Sequence, residues 1–279
     1  MVSETLLRDV STDQLSHARS LAHRATQHLT QAARANLEAR SDDSHSNLGW
    51  DAAQGAFLTQ SIDGRFVGLS LAPLQIFVID EKQMREDIYL NGISTKEVDK
   101  WLDTRLTALG LNAASIVDLP YELPADVAAV EIYSESDHAL ALQALAAWYE
   151  QASHNLEKLV ADTSDFSPGP SPVRCWPHHF DIATYVSLEH GDPETARGIG
   201  VGMSPGDEGY VEPYFYINPW PHLDKNNLPA PIEPGHWHIE GYVGLVATAT
   251  QLRSAGTIAE TIAGFVPQAF KTAKSAQGA

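Results

Sequence analysis

Cysteine is nearly absent from this chain: Cys175 stands alone among 279 residues. One thiol excludes an internal disulfide and any cluster of thiolates around zinc or iron–sulfur, and a buried, small apolar role is the expectation for it. Basic residues are also scarce, 18 Lys and Arg against 36 Asp and Glu, a net charge of −18. Such a balance repels nucleic-acid phosphates and anionic lipid headgroups, so neither nucleic acid nor membrane is an expected partner. Long apolar runs are missing too. No stretch approaches eighteen consecutive apolar residues, and the opening MVSETLLRDVSTDQ has no basic segment followed by an apolar one, so a cytoplasmic protein is expected. What remains is ordinary globular composition, 43% hydrophobic and 19% charged, which a chain of this length can fold around a full core.

Ser11 with Gln14 forms a capping-box pattern, and Leu15, Ala18, Ala22, Ala25, Leu29, Ala32 and Leu37 follow at helical spacing. His17, His23 and His28 ride on this long helix at spacings of six and five, off any common face, and read as surface histidines. Residues 40–54, RSDDSHSNLGWDAAQ, are a turn-forming loop. Strands are expected from Ala56 (AFLTQSI) and Arg65 (RFVGLSLAPLQIFVID), with Asp63-Gly64 as a hairpin turn and Pro73 dividing the second run or marking an edge. A second capping box, Ser94 with Glu97, opens a helix through Val98, Trp101, Leu102, Leu106 and Leu109 that stops at Gly110. A strand over 127–133 then leads into a helix over 137–159 with the inner stripe Leu140, Leu145, Trp148, Ala152 and Leu156.

The prolines and glycine of DFSPGPSP, 165–172, mark the candidate boundary between an N-terminal half, 1–164, and a strand-rich C-terminal half, 165–279. Beyond it HFDIATYVSLE, GIGVGM, EPYFYIN and HIEGYVGLVATA read as short strands, followed by a helix over 257–270 that Pro267 kinks. No internal repeat is visible. The expectation is an α+β protein with mixed or mainly antiparallel sheets flanked by long helices, its two halves joined in one composite domain.

Half of the histidines, His178, His179, His190, His222, His236 and His238, lie in the C-terminal half with Asp181, Glu212 and Glu240. If WPHHFD is a strand, His179 and Asp181 share one face and His178, Phe180 and Ile182 the other; by the same parity His236, His238 and Glu240 project together. Imidazole and carboxylate suit zinc, iron or manganese, so His178, His179, Asp181, His236, His238 and Glu240 are candidate metal ligands, although no established spacing such as HExxH occurs. Without metal, His178, His179, Asp181 and Glu212 are candidates for acid–base chemistry. The opposite reading has equal standing: Pro177 sets the strand entry, Phe180 and Ile182 enter the core, and a histidine satisfies a buried carbonyl. Tyr214, Tyr216 and Trp237 are candidate pocket walls, against a plain core role, and the glycines of GIGVGMSPGDEG serve either ligand approach or turns. In the N-terminal half, His45 and Trp50 are carried as second-tier ligand-binding residues on a loop.

The long opening helix, the polar loop with His45 and Trp50, the His178-x-Phe180-Asp181 pattern, the Gly/Pro segment 203–209 and Trp237 with Glu240 together resemble an uncharacterised bacterial family of unknown function. His179 and the histidine excess around His236 depart from that pattern. The resemblance implies a shared architecture of closely joined halves and a bacterial, cytoplasmic setting; it favours His178 over His179 and transfers no activity. The functional expectation is an enzyme acting on a small molecule through a His/carboxylate cleft, with divalent-metal assistance as one form. The rivals are a small-molecule-binding protein without catalysis and a protein-interaction subunit.

Overall fold

A computed structural model describes residues 4–192 and 194–278. Its elements, in order, are α1 (Glu4–Asp9), α2 (Thr12–Asn36), β1 (Gly49–Asp51), β2 (Ala56–Leu58), β3 (Phe66–Leu71), β4 (Leu74–Ile79), β5 (Arg85–Tyr89), α3 (Thr95–Ala108), α4 (Ala125–Ala128) and α5 (Glu135–Asp162). There follow β6 (Gly169–Pro170), β7 (Arg174–Trp176), β8 (Asp181–Ser187), β9 (Gly198–Ser204), β10 (Tyr214–Trp220), β11 (His236–His238), β12 (Gly244–Thr248), α6 (Ala249–Ala255) and α7 (Ile258–Ala276). These strands make two antiparallel sheets, so the fold is α+β, and neither sheet closes into a barrel.

Two compact units result. The N-terminal unit comprises Val10–Ala147 and Cys175–Phe180; the C-terminal unit comprises Met1–Asp9, Trp148–Arg174 and Asp181–Ala279. Their division falls inside α5, since a long continuous helix contributes one segment to each.

The N-terminal unit is built on the meander β1-β2-β3-β4-β5. At the turn before β3, Asp63 and Gly64 both take positive φ, 50° and 80°, as a type I′ hairpin turn requires. Pro73 separates β3 from β4, as the sequence indicates. Helix α2 opens on the expected capping box and lies against β3. Its apolar stripe, Leu15 to Ala33, is buried, but so are Ser20, His23, Thr26, Gln27, His28 and Thr30, so the helix is covered nearly all round through its middle turns.

That burial corrects the reading of its histidines. His23 and His28 are core residues, 3% and 0% exposed, and only His17 lies at the surface. Each buried ring is satisfied. His23 Nε2 bonds the Pro177 carbonyl at 2.8 Å, and His28 bonds Asp99 through Nδ1 at 2.7 Å and the Tyr133 hydroxyl through Nε2 at 3.0 Å. Desolvation holds His23 down to about 4 and lowers His28 as well. Spacing along the helix excluded a shared face, but what faces each histidine comes from elements remote in sequence.

Other expectations are revised at element ends. Residues 127–133 are no strand: they begin in the short α4, and a single bridge, Ser94 to Ile132, is the only sheet-like pairing there among the described residues. Leu140 is 54% exposed, so the buried stripe of α5 runs through Leu142, Leu145, Trp148, Ala152 and Leu156 instead. The stretch 238–249, read as one strand, instead holds the end of β11, a connection, and β12 followed at once by α6, which Thr248 and Gln251 open with a third capping box. β1 and β5 had no alternating signal to announce them.

The C-terminal unit carries the second sheet in the order β11-β12-β10-β9-β8-β6, with β7 pairing to β8 beside that path. Helix α7 covers β10 and β9, burying Ile258, Ile262 and Phe265. Two of the three glycines of β9 are explained by rings. A Cβ on Gly202 would stand 2.4 Å from the Tyr216 hydroxyl, and one on Gly198 within 2.6 Å of the hydroxyl oxygen and two ring carbons of Tyr185, so each bare position lets a neighbouring tyrosine lie flat across the strand. The glycine-rich strand serves aromatic packing.

Candidate functional site

The histidines of β11 are brought to one face by strand parity, as expected, whereas Glu240, expected to join them by the same parity, lies beyond the end of the strand. Opposite them stands Tyr210, delivered by a tight turn: Asp207 Oδ1 accepts the backbone N–H groups of Gly209 and Tyr210, and the Asp207 N–H donates to the Tyr210 carbonyl. The Tyr210 hydroxyl sits 3.0 Å from His236 Nε2 and 2.9 Å from His238 Nδ1.

The direction of every bond in this chain follows from its ends. Gln251 Oε1 accepts the Thr248 backbone N–H at 2.9 Å, so the Gln251 amide nitrogen must donate to His236 Nδ1, 3.1 Å away. His236 therefore carries its proton on Nε2 and donates to the Tyr210 oxygen. At the other end His238 Nε2 meets the Glu240 backbone carbonyl, which can only accept, so His238 also carries its proton on Nε2. In its uncharged form His238 accepts the single hydroxyl proton of Tyr210 on Nδ1. Gln251, His236, Tyr210, His238 and the Glu240 carbonyl thus form one directed wire in which all four imidazole nitrogens are committed.

This wire lines a pocket of about 620 Å³ with Asp207, Trp237, Glu240 and Tyr242. Trp237 is anchored by donating its indole N–H to the Pro229 carbonyl at 2.8 Å, and the Tyr242 ring stacks on His238 with centroids 4.3 Å apart. Tyr214 donates to Asp207 at 2.6 Å, and deeper in the unit Tyr216 donates to Asp181. Burial raises the hydroxyls of Tyr210, Tyr214, Tyr216 and Tyr242 above the ordinary tyrosine value, Tyr242 to about 12, with neighbouring carboxylates adding to the effect. All four remain neutral donors at neutral pH.

The WPHHFD segment is not the strand whose parity put His179 beside Asp181. Residues 177–180 turn back on themselves: the Trp176 carbonyl accepts the N–H groups of His179 and Phe180, and Phe180 takes φ 59° before β8 begins at Asp181. The turn is fixed from below. Its Pro177 carbonyl accepts from both His23 and Gln27, the Phe180 ring stacks on His23 at 5.1 Å, and the side-chain oxygen of Gln27 takes the Tyr121 hydroxyl at 2.8 Å. His178 is left half-buried beside Tyr121 and Trp176, held down to about 4 by desolvation and by its neighbour His179. The rings of His178 and His179 are 4.2 Å apart, with His179 on the exposed side.

The remaining candidates have structural partners. His45 is buried, 3% exposed, and its Nδ1 accepts the Arg40 backbone N–H, so it pins the loop from inside. Trp50 packs edge-on against Phe57 in the N-terminal sheet. Glu212 accepts the Thr250 backbone N–H and hydroxyl in the first turn of α6. His190 bonds Ser167, and His222 rests against Trp220. Cys175 is buried as anticipated. The sequence reading passed over Tyr210, Asp207, Gln251, Tyr242, Tyr121 and Gln27. Only Gln251 carried a local signal, its place three residues after Thr248 in a capping box.

The expected metal ligands divide between the units, His178 and His179 in one and Asp181, His236, His238 and Glu240 in the other. Among the described residues no group of three or more His, Cys, Asp and Glu side chains could hold a metal ion. The wire supplies a reason at β11. A metal needs a lone pair, and those of His236 Nδ1 and His238 Nδ1 are taken by Gln251 and Tyr210. No helix among the described residues is long and apolar enough to cross a membrane. Comparison with protein-family models, with curated proteins and with solved structures found no match.

Proposed function

We propose that the C-terminal unit binds a small organic cation in the pocket lined by Tyr210, His236, Trp237, His238 and Tyr242. The observation that carries this reading is the charge inventory of the walls. They include the carboxylates of Asp207 and Glu240 and no lysine or arginine, and the Gln251 amide that donates to His236 Nδ1 leaves that imidazole uncharged. A volume of about 620 Å³ lies within the range of roughly 300–1,000 Å³ usual for small-molecule sites. Tyrosine faces attract cations, and the rings of Tyr210 and Tyr242 backed by carboxylates strengthen that attraction where water is displaced. The Tyr210 oxygen accepts one bond and donates one, which leaves a lone pair for an ammonium N–H.

Binding accounts for the geometry better than catalysis at this pocket. A general base needs a free lone pair, and an imidazole bound at both nitrogens offers none until the wire breaks.

The test compares two probes of one shape, 3,3-dimethylbutylamine, an ammonium ion at neutral pH, and the uncharged 3,3-dimethylbutan-1-ol, by calorimetry and by the NMR signals of the Tyr242 ring and the two β11 imidazoles. The amine should bind at least tenfold more tightly and shift all three. Equal affinity would overturn the cationic preference, and no shift with either probe would overturn the pocket itself.

A further inference from the structure

We infer that the 177–180 turn of the N-terminal unit carries a second small-molecule site, which takes a small, flat, uncharged heterocycle with a ring N–H donating to His178. This site is independent of the pocket at β11.

Three observations converge on it. The first is a cavity of about 220 Å³ lined by Asp43, Ser46, Pro120, Tyr121, Trp176, Pro177 and His178. Three of these seven residues, Tyr121, Trp176 and His178, carry flat rings. The volume is below the roughly 300–1,000 Å³ of drug-sized sites, so a single or fused ring pair fills it.

The second is that His178 has no hydrogen-bond partner on either ring nitrogen among the described residues; its recorded neighbours are rings, Tyr121 at 5.7 Å, Trp176 at 6.2 Å and His179 at 4.2 Å. The contrast with the fully buried imidazoles of this unit is sharp, because His23, His28 and His45 are each bonded. Burial keeps the ring uncharged at neutral pH, so it offers a lone pair. An uncharged imidazole makes no ion pair, and the one carboxylate in the lining, Asp43, is already joined to Arg34 at 2.7 Å. Nothing in this cavity therefore selects for charge, whereas stacking on Tyr121 and Trp176 selects for flatness.

The third is the cost of the turn that presents His178. Phe180 is a bulky residue at φ 59°, a conformation such side chains rarely adopt, and it persists only where the surroundings over-determine it. Here they do so with buried groups. Gln27 alone fixes both walls, since its amide nitrogen donates to the Pro177 carbonyl at 3.0 Å while its oxygen accepts from Tyr121 at 2.8 Å. His23 donates to that same carbonyl and lies under the Phe180 ring. Gln27 and His23 are positioning residues, spaced four apart on α2 so that one helix face carries both.

The experiment uses indazole, which has a ring N–H, and 1-methylindazole, which has the same shape without it. Both are titrated into the intact chain while the His178 and Tyr121 ring signals are followed by NMR. Indazole should bind with a Kd at or below the millimolar range and shift both residues, and methylation should weaken it about tenfold. His178→Ala should bring the affinity for indazole down to that for its methyl analogue. Equal affinity of the two probes for the unaltered chain overturns the role of His178, a conclusion that does not depend on the variant folding. Absence of any shift at Tyr121 with either probe overturns the site. Loss of 3,3-dimethylbutylamine binding at β11 with retention of indazole here would leave this inference standing and remove only the other.

Discussion

The two histidine-bearing pockets use imidazole in opposite ways. At β11, His236 and His238 spend every ring nitrogen on Gln251, Tyr210 and the Glu240 carbonyl, so the rings act as walls of fixed orientation. At the 177–180 turn the surrounding residues spend their hydrogen bonds on the backbone carbonyl of Pro177 and leave the His178 ring unbonded. A histidine becomes available for a ligand when its neighbours hold the chain beneath it, and becomes structural when they hold the ring itself.

The comparison predicts unequal responses to substitution. The largest is expected at the base of the turn: Phe180→Ala removes a fully buried ring while leaving a Cβ residue at positive φ, and should cost about 3–5 kcal/mol in urea unfolding. A loss below about 1 kcal/mol would show that the turn is not held by its core contacts.

Next in size is the pH dependence contributed by the buried rings of α2. The folded-state pKa of His23 is lowered from 6.5 to about 4, and that of His28 is lowered too, so both rings are neutral in the folded chain at pH 7. Above pH 6.5 neither state binds the proton and their contribution is fully present. As pH falls from 6.5 toward 4 the unfolded chain takes up protons that the folded chain refuses, and stability declines by on the order of 3 kcal/mol for His23. Urea midpoints measured at pH 7 and pH 5 should therefore separate, and the separation should shrink in His23→Gln. A midpoint that stays level, or rises on acidification, would contradict the buried neutral assignment.

The smallest effects sharpen the contrast most directly. Tyr210→Phe strands the His236 N–H and the His238 lone pair, and should cost about 1–3 kcal/mol. His178→Ala breaks no hydrogen bond and should stay within roughly 0.5 kcal/mol of the parent. Thermal unfolding of the pair decides it: a costlier His178→Ala would reverse the assignment of which ring is structural.

Much of the architecture was legible beforehand. The capping boxes at Ser11 and Ser94, the Asp63-Gly64 turn and the apolar stripe of α2 are local patterns whose physics acts within a few residues, and each appears where expected. Residues 127–133 misled because short apolar runs satisfy helix and strand periods alike, and the strand read over 238–249 proved too long at both ends of β12. The site was legible only in part. Parity placed His236 and His238 together correctly because β11 is a strand, and failed at His178 and His179 because two proline-flanked histidines entered a turn stabilised from α2, some 150 residues earlier.

By itself, then, the sequence determined an acidic α+β chain with one thiol, no disulfide, helices that begin where their caps say, and a paired projection of His236 and His238. Each of these depends on composition or on neighbours a few positions apart. The tertiary structure alone decided that His23, His28 and His45 are internal supports, that Tyr210 and Gln251 direct the tautomers at β11, and that His178 keeps its lone pairs. The reason is that a histidine's role is set by what meets its two nitrogens, and those partners come from strands, turns and helices that only folding brings near.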